Sequence, residues 1–333
     1  PGNPTSPQTI CIGASTPNLS VSSSSGSLQW ESAPSSTGPW TQITGATSTI
    51  LLGTQIGTLT QTTFFRLAAS NPTCGTNYSS VTSIIVNQVA IGGLVSSNQT
   101  ICTSTSPAAL SLTGSLGTIQ WQVSTNNSTW TNISGATSST LTSAQMGVLT
   151  SNRYYRAILT SGSCTNATSN SIMITVLPNP TVGTVTAAQT ICQGTAPTQL
   201  FVGSPNGTIN WQFSTDNSTF TTILNANGNT LSSLAMGSLN VNTYYRVEVS
   251  NSPCPSVFSN SILITVIPAA SAGTISASQT ICTGTQPSAL VSSGSNGSLQ
   301  WEVSTNNSTW TTIAGATSAT LSSAQMGSLT ATR

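Results

Sequence analysis

Few side chains in this sequence can do chemistry. It holds seven cysteines, four carboxylates (Glu31, Asp216, Glu248, Glu302) and five arginines (Arg66, Arg153, Arg156, Arg246, Arg333), with no Lys and no His. General acid–base catalysis needs two titratable groups held close together, and these carboxylates are scattered along the chain. Serine is abundant, but there is no His or Lys to activate it as a nucleophile. A calcium site needs clustered oxygen ligands including carboxylates, and no such cluster exists in the sequence. The expectations are therefore no catalytic residue, no metal site, no cofactor and no enzymatic activity. Five dispersed arginines and a net charge of +1 cannot build the basic face that displaces counterions from nucleic acid.

The cysteines carry the clearest spacing. Cys11 and Cys74, Cys102 and Cys164, and Cys192 and Cys254 are separated by 62 or 63 residues, and Cys282 stands without a mate. A closed zinc site needs four ligands, whereas each interval offers two thiols and the chain has no histidine. The expectation is three disulfides with those pairings, the partner of Cys282 lying beyond Arg333. Such bonds place the chain in an oxidising compartment, outside the cytoplasm. In the chain-entropy treatment each loop of that size contributes about 4 kcal/mol.

A second candidate site is the run Ser124-Thr125-Asn126-Asn127-Ser128-Thr129-Trp130, which recurs at 214–220 and 304–310. An aromatic ring beside Asn and Ser can stack on a sugar, which makes Trp40, Trp130, Phe220 and Trp310 candidate glycan contacts. The same residues read as hairpin-turn chemistry with an aromatic covering a sheet edge. The structural reading carries more weight, because a site inferred from fold alone is weak support for function. Sequons at Asn127, Asn217 and Asn307 leave glycosylation open.

The elements that position these residues repeat every 90 to 91 positions. Each copy carries Gln-Thr-Ile-Cys, then a Trp nineteen residues on (Trp30, Trp121, Trp211, Trp301), the second aromatic named above, and an aromatic pair before Arg at 64–66, 154–156 and 244–246. Hydrophobic residues make up 36% of the chain, more than a disordered tract carries, and no apolar run is long enough to span a bilayer. Short β-branched and aromatic runs alternate in polarity and are broken by Gly, Asn and Ser. In the second copy they predict strands over 109–113, 118–124, 129–133, 139–142, 153–160 and 171–177. Period two sends Ile119, Trp121 and Val123 inward, and likewise Tyr155, Ala157 and Leu159, with Arg156 outside. Leu149, matching Leu59 and Leu239, is expected to plug one end of the module, and residues 144–147 to make at most a single helical turn.

The predicted fold class is all-β: tandem immunoglobulin-like β-sandwich modules of about 90 residues, each with one disulfide and with the four Trp residues as core anchors. Pro-containing junctions give modules at 1–88, 89–178, 179–268 and 269–333, the last lacking its final strands. A cross-strand pair of Glu31 with Arg66 is also expected.

Taken together, Thr-Ile-Cys, Leu/Ile-Gln-Trp-Glu/Gln-Val-Ser-Thr, Trp-Thr-x-Ile-x-Gly-Ala-Thr, Tyr-Tyr-Arg, Ser-Cys-Thr and Ile-x-Ile-Thr-Val resemble the Ig-like repeats of large Bacteroidetes cell-surface and secreted proteins, gliding-motility adhesins among them. The resemblance implies export by the type IX secretion system and a role as stalk and surface-contact array. The alternatives are a glycan-binding array contacting surface polysaccharide, or spacers flanking a catalytic domain elsewhere. Sheet edges are commonly blunted with Lys, which this chain lacks, so lateral self-association into fibres or bundles is a further expectation.

Overall fold

A computed structural model describes all 333 residues. The chain forms two compact units, Pro1–Pro178 and Asn179–Arg333. Each holds two copies of the repeat.

The second copy shows the plan. Thr118–Ser124 pairs antiparallel with Arg153–Thr160 over its full length, with Trp121 opposite Ala157. Arg153–Thr160 pairs in turn with Ile172–Leu177, and Thr131–Asn132 closes the far edge. Gln99–Cys102 adds to the other edge in parallel, Cys102 lying opposite Leu177. The facing sheet is small: Thr140–Leu141, Leu110–Thr113 and Leu94–Val95. Two sheets of this kind, joined by crossing connections, form the sandwich the alternating pattern predicts.

Parity of burial follows the sequence. Trp121, Tyr155, Ala157, Leu159, Ile172 and Ile174 are buried in one core with Leu110, Leu112 and Leu141, and Ile119 and Val123 pack against it. A buried indole N–H needs an acceptor, and each Trp meets the same need locally. Trp30 Nε1 donates to Ser48 O, Trp121 to Ser138 O, Trp211 to Gly228 O and Trp301 to Ser318 O, each at 2.9 Å. The first, third and fourth copies have their own clusters around Trp30, Trp211 and Trp301.

Ser143–Met146 forms one helical turn, capped by Thr142, whose Oγ1 accepts from Gln145 N. It leads to Leu149, which is buried and bonded in both directions to the segment after Cys102: Ser104 N donates to Leu149 O at 2.8 Å and Leu149 N to Thr105 O at 2.9 Å. Leu149 is thus the predicted end plug. Three short strands in this copy were not legible: Leu94–Val95, Gln99–Cys102 and Ala167–Thr168.

The third copy repeats the main sheet, with Trp211 opposite Val247. In the fourth, Leu290–Ser293 pairs with Thr274–Ile275 and Thr320–Leu321, and Glu302–Val303 with Thr311–Thr312.

Candidate functional site: an inter-module disulfide and arginine–aromatic stacks

The parallel pairing of the first strand decides where the cysteines lie. Gln8–Cys11 runs beside Thr82–Asn87, with Cys11 opposite Asn87, so Cys11 sits where the chain leaves the first module. The second cysteine of each of the first three modules lies past the far end of the long central strand, in the hairpin that follows it. In the second copy Cys102 is level with Leu177, three residues beyond the Arg153↔Ile174 pair, whereas Cys164 follows Thr160. The intervening eight-residue strand alone spans roughly 26 Å at about 3.3 Å per residue. A disulfide tolerates at most about 7 Å between Cα atoms. The two cysteines of one module therefore occupy opposite ends of the sandwich and cannot meet.

The bond that forms joins one module to the next. Cys11 is linked to Cys164, with Cα atoms 5.5 Å apart and a sequence separation of 153. This corrects the expected pairings. Cys11–Cys74, Cys102–Cys164 and Cys192–Cys254 do not form, and Cys74, Cys192 and Cys282 are free and exposed. Cys102 and Cys254 are in disulfide form as well. Constant spacing showed which cysteines were equivalent but could not show which were partners. The missing signal was the parallel strand, which moves the first cysteine from the start of the module to its exit.

Around this bond the first and second modules are in close contact. Cys164 Sγ lies 3.8 Å from Asn87 O. Gly162, in the same hairpin, has φ +56, and a Cβ added there would overlap the Asn87 side-chain amide. The linker is short: Ala90 is already buried in the second module's core, and Ile91 exchanges two 3.0 Å backbone bonds with Leu116. A Cβ on Gly92 would overlap Thr168 O, so this position needs glycine for close approach.

The second aromatics occupy a repeated stack on the outer face of the main sheet. The Arg66 guanidinium lies 4.3 Å from the Trp40 ring centroid and 3.8 Å from that of Tyr78. Arg156 lies 4.2 Å from Trp130, and Arg246 lies 3.8 Å from Phe220 and 4.3 Å from Phe258. Each Arg is aimed by a cross-strand acceptor. Arg66 Nε donates to Glu31 Oε2 at 2.8 Å, with Nη2 also 2.8 Å from it, forming the ion pair expected from the sequence. Arg156 and Arg246 donate instead to Gln122 Oε1 at 2.9 Å and Gln212 Oε1 at 2.8 Å. Desolvation pulls the Arg156 guanidinium below its usual pKa. One ring face of Trp40, Trp130 and Phe220 is therefore occupied by a cation, while Trp310 is 54% exposed. Sequence reading placed each Arg on the outer face but missed the stack, because the partners lie on different strands.

The Asn-Asn-Ser run forms a tight turn. Asn126 Oδ1 accepts from Ser128 N and Thr129 N, both at 2.9 Å, and Asn127 takes φ 58, a region Asn tolerates. In the third copy Asp216 stands in the same place. Hydrogen bonds from the Ser214 hydroxyl and from Ser218 N and Thr219 N hold its carboxyl well below the usual range, at about 2. Burial of Tyr245 pushes its phenol up to about 12. No group of three or more His, Cys, Asp or Glu side chains comes together. An open groove of about 310 Å³ runs past Trp301 and Trp310 in the fourth copy, lined also by Ile275 and Glu302.

The chain is a member of DUF8696, a domain of unknown function, matched at residues 1–88, 91–178, 181–268 and 271–333. It is thus an array of tandem repeats of one domain, whose sheets are those of Ig-like sandwiches. No characterised protein sequence matches it. Among solved structures it is similar to the titin fragment I67–I69, at 12% identity and TM-score 0.44, covering 80% of this chain and 96% of that one. It is also similar to extracellular domains 3–5 of Drosophila OTK, at 12% identity and TM-score 0.35, with coverage of 80% and 96%. A third likeness is to Sidekick-1 immunoglobulin domains 1–4, at 15% identity and TM-score 0.31, covering 80% of this chain and 73% of that one.

Proposed function

We propose that this chain is a structural and adhesive stretch of a long extracellular protein, a stalk whose modules also contact surfaces. The observation that carries the reading is the Cys11–Cys164 bond. A bond between modules adds nothing to a catalytic site, but it resists separation of neighbours under load. Persistent disulfides need an oxidising compartment, which fits a location outside the cell. No helix of the structure is long and apolar enough to cross a membrane. Export by the type IX system, a Bacteroidetes origin and a part in gliding motility are the finer proposals that the resemblance supports. Lateral association into fibres or bundles is proposed on the same footing, supported by exposed apolar side chains such as Leu224 and Leu234.

Pulling the chain in a force spectrometer tests the stalk. With the bond intact, the segment between its cysteines, a sequence separation of 153, cannot extend, hiding on the order of 500 Å of contour length at about 3.4 Å per residue. Reductant should release that length. Full extension without reductant would refute the reading. Sugar contact is a second reading, carried by the exposed ring of Trp310. Glycan binding that survives Trp310→Ala would remove its support.

A further inference from the structure

The second copy holds Arg153 and Arg156 and no carboxylate among residues 89–178. Arg156 is committed, since it donates to Gln122 Oε1 and lies over the Trp130 ring. Arg153 is not. Its Nη1 donates to Ser151 Oγ at 2.6 Å and to Asn152 O at 3.1 Å, which fixes the guanidinium while leaving the N–H groups of Nε and Nη2 uncommitted. The ion pair the chain forms is that of Arg66 with Glu31, so the Arg153 charge has no counter-charge in the protein. Arg153 lines an open groove of about 390 Å³. Met146, Leu149 and Tyr155, all buried, form its floor, Val123 and Ile133 its apolar wall, and Val148, 63% exposed, its rim. Gln145 also lines it but is used within the chain, its Oε1 accepting from Thr142 N and its Nε2 donating to Gly135 O. Asn132 Oδ1 accepts from Gln122 Nε2 at 2.9 Å, which leaves its amide N–H groups free to donate. Burial pushes the Tyr155 phenol up and the Arg153 charge acts against that shift, so the guanidinium is felt at the groove floor. At the places of Val148 and Arg153 the first copy has Thr58 and Thr63, and the third has Ser238 and Thr243. The second copy thus carries an apolar side chain and a cation where those copies carry small polar residues.

We propose that this groove binds a carboxylate-bearing sugar, a uronic acid residue of an acidic polysaccharide. A guanidinium presents parallel N–H donors that match both oxygens of a carboxylate, and Nε and Nη2 are such a pair on Arg153. Pockets for small ligands are mostly apolar with a few placed polar groups. Here Val123, Ile133, Met146 and Val148 meet the C–H face of a pyranose ring, and Asn132 Nδ2 donates to a sugar hydroxyl. A simple inorganic anion would pair with Arg153 and leave the apolar wall without a contact. A neutral sugar would cover the wall and leave the cation unpaired. The inference rests on the surface-contact part of the stalk reading, to which it gives a ligand class, and it does not involve the exposed ring of Trp310.

The test titrates the full chain with trigalacturonate, with the same trisaccharide methyl-esterified at its carboxyls, and with inorganic phosphate, by calorimetry and by NMR of valine and methionine methyl groups. The expected result is saturable binding of the acid form that shifts the Val148 and Met146 methyls. The ester and phosphate should each bind about tenfold or more weakly, the order lost with a charge-assisted hydrogen bond. Arg153→Gln, and Val148→Asp, which sets a like charge at the rim, should each weaken the acid form by about tenfold or more. Arg333 aligns with Arg153 in the fourth copy but is accompanied there by Ser328 and Thr312 in place of Val148 and Asn132. Arg333→Gln and Trp310→Ala should therefore stay within about twofold of the parent. Failure of the acid form to bind, equal binding of the ester or of phosphate, or an undiminished affinity in folded Arg153→Gln would overturn the proposal. If Arg153→Gln does not fold, undiminished affinity in Val148→Asp overturns it instead. Loss of binding in Arg333→Gln or Trp310→Ala would overturn it too, by moving the site to the fourth copy. The contour length released by reductant separates the failures. If that length is released and the acid form does not bind at Arg153, only this assignment fails, whereas full extension without reductant removes the stalk reading as well.

Discussion

Replacing cysteines one at a time should give a pattern that the two pairing schemes predict differently. Cys11 and Cys164 share one bond closing a 153-residue loop, whereas Cys74 is an exposed free thiol. In the chain-entropy treatment, loss of a loop of that length costs about 5 kcal/mol, and measured values for natural disulfides commonly fall at about 2–5 kcal/mol. Cys11→Ala and Cys164→Ala should therefore each destabilise the first two modules by about 2–5 kcal/mol. The double variant should cost little more than either single one, since both remove the same bond. Cys74→Ser should lie within about 0.5 kcal/mol of the parent, as surface changes usually do. The assay is urea unfolding under non-reducing conditions, followed by fluorescence of the buried Trp30 and Trp121. If Cys74→Ser proved as damaging as Cys11→Ala, bonding within the module would be indicated and the inter-module assignment would be wrong.

Trp121→Ala empties a fully buried site and should cost about 3–5 kcal/mol; Trp121→Phe, which leaves Ser138 O without its donor, should cost about 1–3 kcal/mol, both read by denaturant titration. The Asp216 carboxyl is held at about 2 in the folded chain against an ordinary 3.8, so it stabilises its turn above the unfolded pKa. That contribution should fade as pH falls from about 4 to about 2 and be absent in Asp216→Asn, as followed by NMR of the Ser218 and Thr219 amides. Arg156→Ala removes the cation over Trp130 and should cost about 0.5–2 kcal/mol while making indole fluorescence more accessible to quenchers. Gly162→Ala, at φ +56 and against Asn87, should destabilise the inter-module contact by about 1–2 kcal/mol, measured as faster hydrogen exchange at the hairpin amides.

Much of the sandwich could be read from the sequence because its signals are local. Alternation in 118–124 and 153–160 sorted Trp121, Tyr155, Ala157 and Leu159 inward, and burial in those strands follows the same parity. The Glu31–Arg66 pair was also legible, since both residues face outward on adjacent strands. What the sequence concealed depends on direction and partner. Gln99–Cys102 is four residues long, and neither its existence nor its parallel sense leaves a mark in hydrophobic periodicity. That sense is what carries Cys102 to the module's exit. Leu94–Val95 and Ala167–Thr168 have two residues each, too few for any period to show. The stacks needed the register between strands to bring Arg156 over Trp130, and residue spacing alone does not contain it.

Non-reducing proteolysis of the chain followed by mass spectrometry bears on the central claim most directly. A peptide containing Cys11 should be recovered joined to one containing Cys164, with Cys74 alkylated as a free thiol. Recovery of Cys11 joined to Cys74, or of Cys102 joined to Cys164, would contradict the account, because each module would then be stapled to itself and nothing covalent would tie it to its neighbour.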